Sequence, residues 1–252
     1  MIKKVKTINR RKISYYHYKS NSKISILFCP GFNSDMNGNK AKNIYKWCNI
    51  NNIECLLFDY SGHGTSEGRL LDLGIEEWTE EANLLLNSIL KKPSIVIGSS
   101  MGGWIAINLA LKNPSKVCAV LGIAPAPDFT EKLWKKILSK KQKANITKYG
   151  HINIQSDYNP DGYIISKKLI NSGKKFLITN RKKIELHCPV RLIHGSDDKE
   201  VNLNNSIEIF NKINAKDVEL IIIKNGDHRL SSPNNLKTIV STLQSLVERI
   251  LV

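Results

Sequence analysis

No apolar run in this 252-residue chain approaches the ~20 residues that a membrane-spanning helix requires. Runs such as Leu220-Ile-Ile-Ile223 are far too short, so no segment is expected to cross a bilayer as a helix. Cysteine is scarce: Cys29, Cys48, Cys55, Cys118 and Cys188 are odd in number and share no Cys-x-x-Cys or Cys/His spacing. That speaks against a disulfide scaffold or a zinc site and for buried, reduced thiols. Glycine (15) and proline (8) are too few for a collagenous or low-complexity chain. Residues 1–23 contain no acidic side chain, and they also lack the apolar stretch and small-residue cleavage site of a secretory signal. These absences together lead us to expect a reducing, cytoplasmic setting.

Hydrophobic residues make up 41% of the chain and charged ones 24%, the balance of an ordinary globular protein. The net charge of +16 is unevenly placed. Residues 1–23 carry eight basic side chains, and residues 130–186 carry fourteen basic against four acidic, leaving the remainder slightly acidic. The interleaved aromatic and basic residues of a single-strand binder are missing, so nucleic acid is not an expected partner. Peripheral contact with anionic surfaces stays open. Heavy use of Lys, Asn and Ile throughout also fits a compositional bias that gives basicity without a role.

Short strand-like runs alternate with helical periods along the chain, the pattern of helices packed on both faces of a mostly parallel sheet. Eight strands are expected, at Lys4–Ile8, Ile13–Tyr18, Ile24–Cys29, Glu54–Asp59, Ser94–Gly98, Val117–Ile123, Val190–His194 and Val218–Lys224. The first of them should form an antiparallel hairpin, with Asn21–Lys23 as the second turn, before the alternating units begin. Ile75, Trp78, Ala82, Leu85, Leu86 and Ile89 fall at helical spacing, as do Leu203, Ile207 and Phe210, and the series from Leu236 to Ile250. Between 130 and 186 no clear strand is visible. Amphipathic, Lys-rich pieces broken by Gly150, Pro160, Gly162 and Gly173 predict a helical insertion within a single domain spanning 1–252.

Chemistry concentrates at Ser94-Ile-Val-Ile-Gly-Ser-Ser100-Met-Gly-Gly-Trp104, an apolar strand running through Gly98-x-Ser100-x-Gly102 into a helical stretch. That strand–turn–helix context is what a nucleophile elbow needs: the two glycines let strand and helix pass closely while Ser100 takes a strained backbone at the turn. A serine hydroxyl needs a base to take its proton and a carboxylate to orient that base. His228, in Gly226-Asp-His-Arg229 just after the last strand, is best placed; His63 precedes the nucleophile in a glycine-rich loop and reads as loop structure. Either Asp197 or Asp198, in the turn after Val190–His194, could orient the histidine. The backbone N–H of Met101, after the nucleophile, and that of Phe32, in Pro30-Gly-Phe32, are the expected donors to a developing oxyanion. No cofactor or metal is called for.

Four blocks in order, Pro30-Gly-Phe32, Phe58-Asp-Tyr-Ser-Gly-His-Gly64, the Gly98–Gly102 elbow, and His194-Gly-x-x-Asp198 followed by Gly226-x-His228, resemble the α/β-hydrolase superfamily over nearly the whole chain. The resemblance implies an α/β-hydrolase fold with an eight-stranded sheet, a lid made by the insertion 130–186, and Asp198 rather than Asp197 as the acid. Asn202 stands where a proline often follows the position of Val201. A narrower likeness runs through Pro30-Gly-Phe32-x-Ser34-x-Met36-Asn-Gly38-x-Lys40-Ala41 and Gly226-Asp-His-Arg229. It is to the palmitoyl-protein thioesterase and acyl-glucuronide esterase branch of the α/β-hydrolase-domain-containing proteins, and with no recognisable presequence it suggests a bacterial counterpart. The implied activity is hydrolysis of carboxylic esters or thioesters, small-molecule or acyl-protein, through Ser100, His228 and Asp198 and an acyl-enzyme. Carbon–carbon bond hydrolysis and acyl transfer use the same three residues and remain alternatives; a non-catalytic binding module would be expected to have lost some of them. Haloalkane dehalogenation needs a carboxylate where Ser100 stands.

Overall fold

Strands such as Ser25–Cys29 and Ser94–Ser99 are apolar on both sides of the pleat, which suits a sheet covered on both faces. In the computed structural model, which describes residues 2–7, 10–156 and 159–252, eight strands form one sheet. They are β1 (Lys3–Lys6), β2 (Lys12–Tyr18), β3 (Ser25–Cys29), β4 (Glu54–Phe58), β5 (Ser94–Ser99), β6 (Val117–Ile123), β10 (Val190–Gly195) and β12 (Val218–Ile223). Their spatial order is β1-β2-β4-β3-β5-β6-β10-β12, with β1, β2 and β4 joined antiparallel and every other neighbour parallel. All eight expected strands are present, within a residue or two of their expected ends; Ile8, the last residue of the first, lies outside the described residues. One connection differs. The turn at 21–23 does not close a second hairpin, because β2 pairs with β4 and the turn carries the chain past that strand to β3.

The period-two alternation of the strands sorts the core into two layers. Ile26, Phe28, Ile95, Ile97 and Leu121 face α1 (Asn39–Ile50) and α8 (Pro233–Leu251). Leu27, Leu56, Phe58, Val96 and Val120 face α2 (Ile75–Ser88), α3 (Met101–Lys112) and α7 (Asn204–Lys212). Within α2 the buried stripe includes Ile75, Trp78, Ala82, Leu85 and Leu86, and within α8 Ile239, Leu243, Leu246 and Val247, one apolar face each. Pro233 opens α8 after Ser232, whose hydroxyl accepts from the Asn235 N–H.

The insertion departs from the helical expectation. It holds α4 (Phe129–Lys132) running into a π-turn at Leu133–Ile137, then α5 (Lys140–Tyr149), an antiparallel hairpin of β7 (His151–Ser156) and β8 (Asn159–Ser166), and α6 (Lys167–Gly173). A two-residue strand β9 (Ile184–Glu185) then pairs with β11 (Ile213–Asn214). The hairpin escapes a search for apolar runs because only alternate residues are apolar: Ile152 and Ile154 pair with Ile165 and Tyr163, while His151, Asn153 and Gln155 are exposed. Gly150 ends α5 in the left-handed region at φ 84°, turning the chain into the hairpin. The returning leg is pinned to the body. Buried Asp128, itself at φ 55°, accepts from Ile178 N (2.9 Å), Thr179 N (2.8 Å) and Thr179 Oγ1 (2.5 Å), and Trp104 Nε1 donates to the Phe176 carbonyl at 2.8 Å.

Candidate active site

The elbow explains why two glycines flank Ser100. A Cβ on Gly98 would lie 2.1 Å from the Gly102 carbonyl oxygen, and one on Gly102 would lie 2.0 Å from the Cys29 carbonyl oxygen, distances that no side chain survives. The tight passage places Ser100 at φ 54°, ψ −119°, a region a non-glycine residue occupies only when its surroundings force it. Ser100 thereby stands half-buried at the N-terminus of α3, where Met101 begins the helix and leaves its N–H without an intrahelical acceptor. Gly31 backs onto the same point, its notional Cβ 3.4 Å from the Cβ of Ser100. Phe32 is the next residue along that loop.

Across from Ser100, the two segments that follow β10 and β12 supply the partners. His228 Nε2 lies 3.1 Å from Ser100 Oγ, and His228 Nδ1 lies 2.7 Å from Asp198 Oδ2. Because a carboxylate only accepts, Nδ1 carries the proton and Nε2 presents its lone pair to the serine hydroxyl. Asp198 also accepts from the N–H groups of Glu200 (3.0 Å) and Val201 (2.8 Å) through Oδ1. Asp197 is exposed and takes the Ser196 hydroxyl instead. The structure thus brings Ser100, His228 and Asp198 together in one row and leaves Asp197 outside it.

A fourth group, His194, carries a role that the sequence did not signal. Its ring is fully buried; Nε2 donates to the Val201 carbonyl at 2.9 Å and lies 3.1 Å from Asp198 Oδ2, while Nδ1 accepts from the Ser206 hydroxyl at 2.7 Å. Burial alone would raise the Asp198 pKa, but the hydrogen bonds from His194 and His228 hold the carboxyl well below the usual carboxylate range. The pair His194-Gly195 was legible only as a marker for counting to the acid; that the imidazole reaches forward four residues to hold it depends on the turn. His63 sits elsewhere, buried against Trp78 and Phe32 with ring centroids 5.0 and 6.1 Å away, and its pKa is pushed down to about 4 by burial.

Over this row opens a cleft of about 1090 Å³. One wall is apolar, built from Phe32, Phe129, Leu133, Ile154, Tyr163 and Ile165, so the hairpin of β7 and β8 supplies half of it. The rest of the lining is largely polar and includes Lys132, Asn205, Glu208, Lys199 and Glu200. Among the described residues no three His, Cys, Asp or Glu side chains are grouped to hold a metal ion, and no helix is long and apolar enough to cross a membrane.

The Hydrolase_4 family, described as serine aminopeptidase S33, matches residues 20–163, more than half of the chain. The chain belongs to the α/β-hydrolase family. This α/β hydrolase is 32% identical over 226 residues to the palmitoyl-protein thioesterase ABHD10, mitochondrial, of Rattus norvegicus, a match covering 89% of this chain and 75% of the relative. Among solved structures, the α/β hydrolase domain-containing protein 10 from mouse superposes with a TM-score of 0.90 at 29% identity over 99% of both chains. A putative hydrolase from Agrobacterium vitis S4 gives 0.93 at 28% identity over 98% of both. The hydrolase described here is therefore an enzyme of the serine-hydrolase kind, with a mostly parallel eight-stranded sheet at its centre.

Proposed function

We propose that the protein hydrolyses thioesters and carboxylic esters of apolar acyl chains, on small molecules or acylated proteins, through Ser100, His228 and Asp198. The observation that carries this reading is the unbroken row from Ser100 Oγ through His228 to Asp198 at the floor of a cleft with one apolar wall. In the first half-reaction His228 Nε2 takes the proton of Ser100 as Oγ attacks the acyl carbon. The Phe32 and Met101 N–H groups receive the oxyanion, and the imidazolium, stabilised by Asp198, returns its proton to the departing thiol or alcohol. Water deprotonated by the same imidazole then releases the acid from Ser100. The acyl chain lies against Phe32, Leu133, Ile154 and Tyr163, and the leaving group faces the polar part of the lining. The resemblance to a relative named palmitoyl-protein thioesterase favours a thioester of a long acyl chain.

The five free thiols, four of them buried, suit a reducing compartment, cytoplasmic or, as the relative's name has it, mitochondrial. The domain is single, 1–252, with 130–186 as its lid. Turnover of acyl thioesters and esters from short to long chains, in wild type and Ser100→Ala, tests the reading. Removing one member of such a unit typically lowers kcat by several orders of magnitude. Labelling of Ser100→Ala by a fluorophosphonate at the wild-type rate would refute it, as would cleavage of a β-diketone with no activity on any ester.

A further inference from the structure

The narrow likeness noted above runs through Met36-Asn-Gly38-x-Lys40, and the chemistry so far leaves Lys40 without a role. Lys40 is the second residue of α1, half-buried at the wall of the cleft. Its Nζ reaches across to the far end of the chain and donates to the carbonyl oxygen of Arg229, the residue directly after His228. We propose that Lys40 is a positioning residue for His228, fixing the loop after β12 so that the imidazole faces Ser100.

The loop needs such a tie. It leaves β12 after Ile223, passes Gly226, whose carbonyl accepts from the Asp197 N–H at 3.0 Å, and ends at Leu230, which is fully buried but held at φ 46°, a conformation that costs a non-glycine residue free energy unless neighbours enforce it. Asp227 Oδ1 accepts from Leu230 N at 2.8 Å and closes the turn from within. At Arg229 the carbonyl is met by the Ser231 hydroxyl, two residues on, at 3.0 Å and by Lys40 from a different element. Of these contacts, Lys40 alone joins the His228 segment to the helix that follows the oxyanion loop, so base and oxyanion donors are referenced to one another. Burial pushes the Lys40 ammonium down to about 8, Asp227 and Asp198 pull it up, and Arg229 pushes it down. The charge strengthens its hydrogen bond to a neutral carbonyl.

The inference rests on the hydrolase reading above, so wild type and Ser100→Ala are assayed beside Lys40→Met. Loss of alignment between base and nucleophile is expected to lower kcat about 10- to 100-fold, with KM within about 3-fold of wild type. The melting temperature should hold or rise, because an apolar side chain of similar length replaces a partly desolvated charge. Wild-type kcat in Lys40→Met, or a loss of kcat that only tracks a lowered melting temperature, overturns the positioning role. Lys40→Arg gives a second route: its guanidinium keeps the proton that the wild-type ammonium loses near pH 8. The decline of wild-type kcat above that pH should therefore move up by at least about one pH unit in the variant, and superimposable alkaline profiles overturn the proposal. Absence of any Ser100-dependent turnover in wild type would instead sink the hydrolase reading on which it stands.

Discussion

Asp197 and Asp198 are adjacent in the sequence yet differ in every contact that matters. Asp198 takes four donors, two of them imidazoles, whereas Asp197 meets the Ser196 hydroxyl at the surface. Asp198→Asn should leave the fold intact and lower kcat by about 10⁴, because the amide cannot hold the Nδ1–H tautomer, and Asp197→Asn should change it by less than about 10-fold. The reverse pattern in steady-state kinetics would move the role to Asp197. A second pair of residues governs pH dependence. Glu81, a buried residue of α2, accepts from Ser61 N and from the Ser61 hydroxyl, and burial lifts its pKa from 4.5 to about 7. His63, bonded to the Ser61 carbonyl, is pushed by burial from 6.5 down to about 4. A raised carboxyl pKa means that stability is lost as pH climbs from about 4.5 to 7; a lowered histidine pKa means that it is lost as pH falls from about 6.5 to 4, each on the order of 3 kcal/mol. The two slopes oppose one another in the wild type. Urea midpoints should rise with pH between 4.5 and 6.5 in Glu81→Gln and fall over the same window in His63→Phe; equal slopes in both would refute the assignment.

At the scale of elements, the insertion 130–186 is fastened to the body of the protein and contains a hairpin. Its root is Asp128, whose carboxylate satisfies the backbone of 178 and 179. Asp128→Ala leaves those buried N–H groups unpaired and places alanine at a positive φ, so the melt should report a loss of about 3 kcal/mol. The hairpin has a different task. Ile154 and Tyr163 oppose one another in register and both line the cleft, with the Tyr163 ring 5.8 Å from that of Phe32. Ile154→Trp should fill that space, cutting kcat/KM for long acyl chains at least about 10-fold while short chains are processed within about 3-fold of wild type. A uniform loss across the chain-length series would mean that the acyl chain does not lie against the hairpin.

For the whole molecule, the question is whether its net charge of +16 does anything. Several lysines of the insertion are already paired with acids, Lys168 with Glu77 and Lys175 with Glu76 on α2 and Lys135 with Glu131 within the insertion, surface contacts worth little individually. Around the cleft, however, five basic side chains, among them Lys136 and Arg229, outnumber three acidic ones. Such a field draws anionic substrates and is screened by salt over ~10 Å at 0.1 M. Raising salt from roughly 0.05 to 0.5 M should lower kcat/KM for an anionic thioester several-fold more than for a neutral ester of equal chain length. Equal responses would mark the basicity as compositional.

What the sequence determined by itself is what local sterics and pattern dictate. Continuous apolar strands fix the sheet, and Gly98-x-Ser100-x-Gly102 fixes a turn only two glycines can make. Histidine and aspartate at strand ends are limited to the edge of the sheet where Ser100 emerges. The tertiary structure decided the rest. The hairpin at 151–166 was hidden because a half-exposed ladder reads as a polar segment until its partner is known. The pairing of β2 with β4 depends on which sheet edge is free, which no turn residue encodes. His194 and Lys40 gain their contacts only when distant loops meet, since a side-chain hydrogen bond across 189 residues, as from Lys40 to Arg229, leaves no periodicity and no spacing in the chain to be read.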